Sequence, residues 1–264
     1  MAAPNANKSI DGPGSILTSL VAVCFCIIQD FNLTQHNPSL SLSLNFDISP
    51  LSSLCSAFSG GPGSGVVTTK NNRLVMAGWY NWLDSQKNDG ADDTGAILLY
   101  SDDNGDTWNV GAKLPKSELG WPNESQVALL RNGSLIMNSR NAAGGDCHCR
   151  ILSRSDDSGE TFAETWLAEE LIDPVCQGST IASTFSEKDL LVFSNAHSTS
   201  ARVNGTIMTS SNGGQNWELN AIIDGGNFVY SALAELKSDT EKVRMGVVWE
   251  TDKPLSIRFK VAEL

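Results

Sequence analysis

Basic residues are scarce in this chain: 18 Lys and Arg stand against 30 Asp and Glu among 264 residues, giving a net charge of −12 and a pI near 4.6. A surface that tracks phosphates needs clustered Lys and Arg, so this balance argues against nucleic-acid binding. Long apolar runs are also lacking. The stretch from Ile16 to Ile28 has 13 residues, whereas a membrane-crossing helix needs about 20. Six cysteines in a chain this long are too few for a disulfide scaffold. No long window repeats its apolar residues every 3.6 positions, so helices are expected to be few. Walker A, G-x-S-x-G and H-E-x-x-H motifs are absent. The run DDNGD (102–106) fails as an EF-hand, because counting from Asp102 puts Lys113 where a bidentate Glu is required.

What the chain does have is a repeat. SDDNGDTW (Ser101 to Trp108), SDDSGETF (Ser155 to Phe162) and SSNGGQNW (Ser210 to Trp217) begin 54 and 55 residues apart, a period that marks a repeat architecture. In each octapeptide Asp103, Asp157 or Asn212 can bond the backbone two residues on. Gly105, Gly159 and Gly214 supply a turn residue free to take positive φ. Trp108, Phe162 and Trp217 bring a large ring to bury. From Gly60 onward the chain reads as short β-runs broken by turn residues: Gly65 to Thr69, Arg73 to Trp79, Gly95 to Tyr100, Ser125 to Leu130, Ser134 to Ser139, Leu190 to Phe193, Thr206 to Thr209 and Arg244 to Trp249. About four strands fit each period, which is one propeller blade. The 209 residues from Ser56 to Leu264 then make roughly four blades of an all-β protein, a partial ring with open sheet edges.

Residues 1–58 read as a separate segment from 59–264. They carry Lys8, Asp11, Asp30 and Asp47 as their only charges and include the Ser/Leu stretch 39–44. The apolar run 16–28 has the length of a signal-peptide core, and a signal peptide or anchor is one expectation, although the residues before it are not net positive and no A-x-A site follows. The rival reading is that this segment is not the natural start of the domain behind it. Cys147-His148-Cys149, with Cys176, suggests metal ligands, but structural zinc uses wider pair spacing. The alternative is a cysteine pair on one strand face, buried or bridged elsewhere. Sequons stand at Asn7, Asn32, Asn123, Asn132 and Asn204.

The three octapeptides resemble the Asp boxes of the sialidase (neuraminidase) superfamily, six-bladed propellers that release terminal sialic acid. A longer resemblance, to the animal lysosomal-type branch, rests on GPGSG (61–65), NESQ…LLRNGSLIMNSRN…CHCR (123–150), ELIDPV (170–175), RVNGT (202–206) and YSALAEL (230–236). The chemistry agrees with it. A sialoside carries a carboxylate on the carbon being substituted, and Arg binds carboxylates bidentately while staying charged. Arg140 and Arg202 match two members of the family's arginine triad. That carboxylate would repel an anionic nucleophile, whereas a tyrosine is neutral until activated. Tyr230 matches the nucleophile, and Glu124 the glutamate that takes its proton. Glu250 resembles a carboxylate that orients one of the arginines. A glycan on Asn123 or Asn204 would crowd such a pocket.

The resemblance implies no metal or other cofactor, sialylated glycoconjugates as substrates, a lysosomal, secretory or membrane-associated setting (a cytoplasmic one being compatible as well), and a protein partner for stability. Two parts of the family machinery have no match here. The first triad arginine belongs to a Phe/Tyr-Arg-Ile-Pro motif, and no arginine precedes Arg73. The acid/base aspartate also finds no counterpart, and its loss costs about 10²–10⁴-fold in rate. The expectation is therefore a sialidase-like chain of weak or no activity. Its rivals are a non-catalytic propeller fragment that binds sialoglycans or a protein, and a receptor-like protein carrying the same boxes.

Overall fold

The computed structural model describes residues 57–82, 93–183, 189–237 and 242–264; the apolar run 16–28 and nearly all of the 1–58 segment lie outside the described residues. Every regular element among the described residues is a strand, and none of those residues forms a helix long and apolar enough to cross a membrane. The strands form four antiparallel sheets in chain order. The first holds β1 (Ala57–Gly60), β2 (Val66–Val67), β3 (Leu74–Trp82), β4 (Asp93–Ser101) and β5 (Asn109–Pro115). The second holds β6 (Pro122–Leu129), β7 (Leu135–Asn141), β8 (Cys149–Ser155) and β9 (Glu164–Ile172). The third runs through β10 (Ser179–Ala182), β11 (Leu191–Ala196), β12 (Val203–Ser210) and β13 (Glu218–Asn227). The fourth has β14 (Ser231–Leu236), β15 (Arg244–Asp252) and β16 (Leu255–Glu263). Each expected β-run falls within or overlaps one of these strands, and the four sheets are four propeller blades.

Alternation of side chains across each strand explains how the blades stack. Leu135 and Met137 of β7 join Val75, Ala77, Ala96 and Leu98 of the first sheet in one core. Ile136, between them, joins Leu191, Phe193, Met208 and Trp217 of the third sheet in the next. Ile181, Val192, Ile207 and Ile223 meet Leu233, Met245, Val247 and Trp249 of the fourth. Blades are also clasped at their first strands. The Thr180 amide donates to the Gln126 side chain at 3.1 Å, Ser231 to Gln177 at 2.8 Å and Leu233 to Ser179 at 3.0 Å, each across a separation of 54 residues. The period that spaces the octapeptides therefore also spaces the contacts between blades.

The octapeptides join the third to the fourth strand of the first three blades, and they differ in one respect from the sequence reading. The carboxylate reaches four residues on, not two: Asp103 accepts from the Thr107 amide at 2.8 Å, Asp157 from Thr161 at 2.9 Å, and Asn212 from Asn216 at 3.0 Å. The opening serine oxygens accept the amides of Gly105, Gly159 and Gly214 at 2.8, 2.9 and 3.0 Å. Those glycines have φ of 97°, 92° and 88°, in the left-handed region where a side chain is strained. The boxes also dock blades together, since the Gly159 carbonyl accepts from the Ala112 amide at 2.8 Å. A Cβ on Gly111 would stand 2.2 Å from that carbonyl, so only glycine allows the approach.

Arg73, the first arginine of the chain, belongs to this end of the blades. It pairs with Asp102 at 2.7 Å and with Glu160 of the second box at 2.9 Å, and it lies over the Tyr100 ring at 3.8 Å.

The hydrogen bonds from Thr107 and Ser101 hold the Asp103 carboxyl down to about 2 from an ordinary 3.8. A depressed carboxyl pKa adds stability that is fully present above its unfolded value and is lost as pH falls through the folded value. The melting temperature should therefore fall between about pH 4 and pH 2, and Asp103→Asn, which mimics the third box, should flatten that part of the curve. An unchanged pH dependence in Asp103→Asn by calorimetry would contradict this role.

Candidate active site

The five residues singled out by sequence come from three blades and lie at the end opposite the boxes. Glu124 stands near the start of β6 and Arg140 near the end of β7, and the register Ser125↔Ser139 makes them neighbours. Arg202 directly precedes β12, and Tyr230 directly precedes β14. Glu250 lies near the end of β15, where its amide donates to the Tyr230 carbonyl at 2.9 Å. The Arg202 carbonyl accepts from the Phe228 amide at 2.8 Å and the Asn227 side chain at 3.2 Å, which ties the two loops together.

Glu124 is the hub. One of its oxygens accepts the Tyr230 hydroxyl hydrogen, and the other accepts from Arg140 Nη1 at 2.6 Å. Both partners of that ion pair are mostly buried, with side-chain exposures of 18% for Arg140 and 15% for Glu124. The Arg202 guanidinium lies 5.9 Å from the Tyr230 ring centroid and makes no hydrogen bond or ion pair to any described side chain. The structure thus brings Tyr230, Glu124 and Arg140 into direct contact, with Arg202 over the phenol. Glu250 approaches Arg202 closely enough to feel its charge but forms no ion pair with it within 4.0 Å.

The electrostatics follow from burial and from Glu124. Burial pushes the Tyr230 phenol well above its usual range, and the adjacent Glu124 carboxylate pushes it the same way, so Tyr230 is neutral at rest. Burial pulls the Arg140 pKa down, but the charge and hydrogen bond of Glu124 outweigh this and leave it raised. Glu250 is raised by burial, against the opposing charge of Arg202.

Beneath these residues lies a layer of which sequence reasoning singled out only Cys176, as a candidate metal ligand. Arg150 is fully buried and pairs with the buried Asp173 at 2.6 Å. It also donates to the Cys176 carbonyl at 2.8 Å and to Asn138 on β7 at 2.8 Å. Asp173 in turn accepts the Cys176 amide at 2.7 Å. The Cys176 thiol faces the Val229 carbonyl at 3.5 Å, and burial pushes its pKa up to about 11, so it stays a thiol. The signal was present in the stretches CHCR and ELIDPV, but an arginine in a strand reads as a surface charge until its partner is known.

The cysteine pair corrects an expectation. Cys147 and Cys149 are bridged to each other across His148, not to a distant partner. Neither thiolate is therefore free for a metal, and the described residues contain no cluster of three or more metal-ligating side chains. The stapled loop leans on the same buried layer, because the His148 carbonyl accepts the Asp173 amide at 2.7 Å.

Removing one partner of a buried ion pair leaves the other charge uncompensated, at a cost of about 3–5 kcal/mol. Arg150→Met should lower the unfolding free energy in urea by that order, and adding Asp173→Asn should restore most of it. A fully additive double variant would show that the pair is not coupled.

Comparison with known proteins matches the BNR repeat-like domain family over residues 50–241. The chain is 31% identical to a Bacteroides fragilis sialidase over 199 residues, which covers 72% of this chain and 33% of that protein. It is 30% identical to a Micromonospora viridifaciens sialidase over 151 residues, 55% of this chain and 22% of the relative. Among solved structures, the Hadza microbial sialidase Hz136 superposes with a TM-score of 0.59 at 27% identity, over 78% of this chain and 38% of that one. A leech intramolecular trans-sialidase shares the fold, with a TM-score of 0.60 at 21% identity over 79% of this chain and 32% of that one. The chain spans a third or less of the length of these two curated relatives. With Asp boxes between blades and the Tyr230–Glu124–Arg140 cluster at their opposite end, the chain belongs to the BNR-repeat proteins of the sialidase superfamily.

Proposed function

We propose that these blades carry the nucleophile and the carboxylate clamp of an exo-α-sialidase site, acting on terminal sialic acids of glycoproteins, glycolipids or oligosaccharides. The observation that carries the reading is the shared glutamate. Glu124 holds the Tyr230 hydroxyl with one oxygen and Arg140 with the other, so a phenol of raised pKa is paired with the base that can take its proton. Arg140 and Arg202 flank that phenol, where a substrate carboxylate on the reacting carbon would sit.

In this mechanism Tyr230 Oη attacks the anomeric carbon as its proton moves to Glu124. The bond to the leaving oxygen breaks, the aglycone departs as its oxyanion and takes a proton from solvent, and a covalent sialyl–tyrosine aryl ketoside forms with inversion. Water then attacks the same carbon and gives up a proton to solvent, Tyr230 leaves and recovers its own proton from Glu124, and the second inversion gives net retention. Because the family's acid/base aspartate and first arginine have no matching motif in this sequence, we propose slow turnover, fastest for aglycones that leave without protonation. The lysosomal or secretory setting, membrane association through residues 16–28 and a stabilising protein partner belong to this proposal through the family resemblance. The rival, a module that binds sialoglycans without cleaving them, makes use of the same two arginines.

The test is release of fluorophore from an aryl α-sialoside by the purified chain, together with thermal protection by free sialic acid. Slow hydrolysis should be abolished by Tyr230→Phe and reduced about 10²–10⁴-fold by Glu124→Gln. Protection by sialic acid should be lost in Arg140→Ala and Arg202→Ala. Protection without hydrolysis supports the binding module. Hydrolysis that survives Tyr230→Phe would sink the assignment of the nucleophile.

A further inference from the structure

Tyr230 lies one residue before β14 begins at Ser231; on one side β15 holds this backbone, the Glu250 amide donating to the Tyr230 carbonyl at 2.9 Å and the Val229 amide to the Glu250 carbonyl at 2.9 Å. The residues on either side of it are also gripped by two adjacent residues of the preceding blade. Gln177, 3% exposed, accepts the Ser231 amide with Oε1 at 2.8 Å and donates from Nε2 to the Ser231 carbonyl at 3.0 Å. Its second amide hydrogen goes to the Gly178 carbonyl at 3.1 Å. Cys176 meets the Val229 carbonyl through its thiol. Residues 229 and 231 are thus both anchored, and the phenol is suspended between them.

The orientation of the Gln177 amide is unambiguous, because a flip would set donor against donor and acceptor against acceptor at Ser231. Nor does the clasp float. The loop that carries it is pinned by Arg150 and Asp173, and Arg150 also holds Asn138, two residues before Arg140 on β7. One buried network therefore fixes the loop of the nucleophile relative to the strand of the clamp. Gln126 makes a related clasp between the second and third blades, but there the amide is divided between Thr180 and Ser64. Only Gln177, of the two, closes on both backbone groups of one residue.

We propose that Gln177 is a positioning residue that sets the Tyr230 hydroxyl against Glu124. The inference rests on the sialidase reading for its catalytic consequence, but not for its geometric one. A misplacement of about 1 Å at a reacting group costs on the order of 10²-fold in rate, so the grip on Ser231 governs turnover without touching substrate.

The chain has three tyrosines, so a carbon-13 label at tyrosine Cζ gives a spectrum in which Tyr230 is identified by its loss in Tyr230→Phe. Gln177→Met, which keeps the shape and loses both hydrogen bonds to Ser231 along with the one to Gly178, should move the Tyr230 signal in the same direction as Glu124→Gln does. It should also lower kcat on an aryl sialoside at least about tenfold, with KM within about twofold. Ser179→Ala, which removes only the clasp on Leu233, should cost stability but leave the Tyr230 signal and kcat in place. Gln177→Glu reproduces the two-point pattern only when protonated, so its Tyr230 signal should return toward wild type on acidification; this arm serves if Gln177→Met does not fold. A Tyr230 signal unchanged in Gln177→Met, or indifferent to protonation in Gln177→Glu, overturns the proposal and leaves Gln177 a blade clasp. If the wild type neither cleaves nor binds sialosides, the functional reading fails, while the spectrum still decides the positioning role.

Discussion

Leu135, Ile136 and Met137 are consecutive residues of one strand, all fully buried, yet their side chains enter two different cores. A sheet with two apolar faces must find cover for both, and here the second and third blades find it by lying between two others. The rest of the fold depends on that constraint. It requires the chain to return at a fixed interval, which the octapeptides enforce at one end and the Gln126, Gln177 and Ser179 clasps enforce near the first strands. It also explains where the large exposed hydrophobics gather. Val248 of β15 pairs with Phe259 of β16, and Leu255, Ile257 and Phe259 are 87%, 75% and 61% exposed on the face that no described blade covers. The opposite face of the same sheet, with Met245, Val247 and Trp249, is buried against the third blade.

How much of this was legible in the sequence follows from the same physics. Inner and middle strands such as β7 and β11 are buried throughout and read as apolar runs. Outer strands such as β5 (Asn109–Pro115) and β13 (Glu218–Asn227) expose most of their residues, and without apolar alternation they left no signal. The octapeptides were legible because their chemistry is local: serine, carboxylate and glycine bond within eight residues. The reach of the carboxylate to the fourth residue was missed because a two-residue Asx turn is the commoner use of the same group. At the site, Tyr230 and Glu124 are 106 residues apart in sequence and touch only because the blades stack. Motif resemblance could name them, but spacing could not have joined them. Arg150 and Asp173 were invisible for a deeper reason. A buried ion pair and two surface charges have the same letters, and only the fold tells them apart.

The buried layer and the site solve opposite electrostatic problems. Arg150 is enclosed completely and its charge is met by the Asp173 carboxylate, with the Cys176 carbonyl and the Asn138 side-chain oxygen as further acceptors and Nη2 left without a hydrogen-bond partner. At the surface above it the balance is deliberately incomplete. Glu124 is divided between Arg140 and Tyr230, so it neutralises only part of Arg140, while Arg202 faces the phenol without an ion-pair partner among the described residues. Glu124 pairs with Arg140, and Glu250 feels the charge of Arg202 without pairing with it, which leaves an unpaired excess of positive charge at the Arg202 guanidinium in a chain whose net charge is −12. An anion drawn to that excess would meet a neutral hydroxyl rather than a second anion, because burial and Glu124 both hold the phenol in its protonated form. Binding an anionic sugar and attacking it would otherwise work against each other. In the proposed reaction, a tyrosine whose proton leaves only as the bond forms would let one small cluster serve both ends.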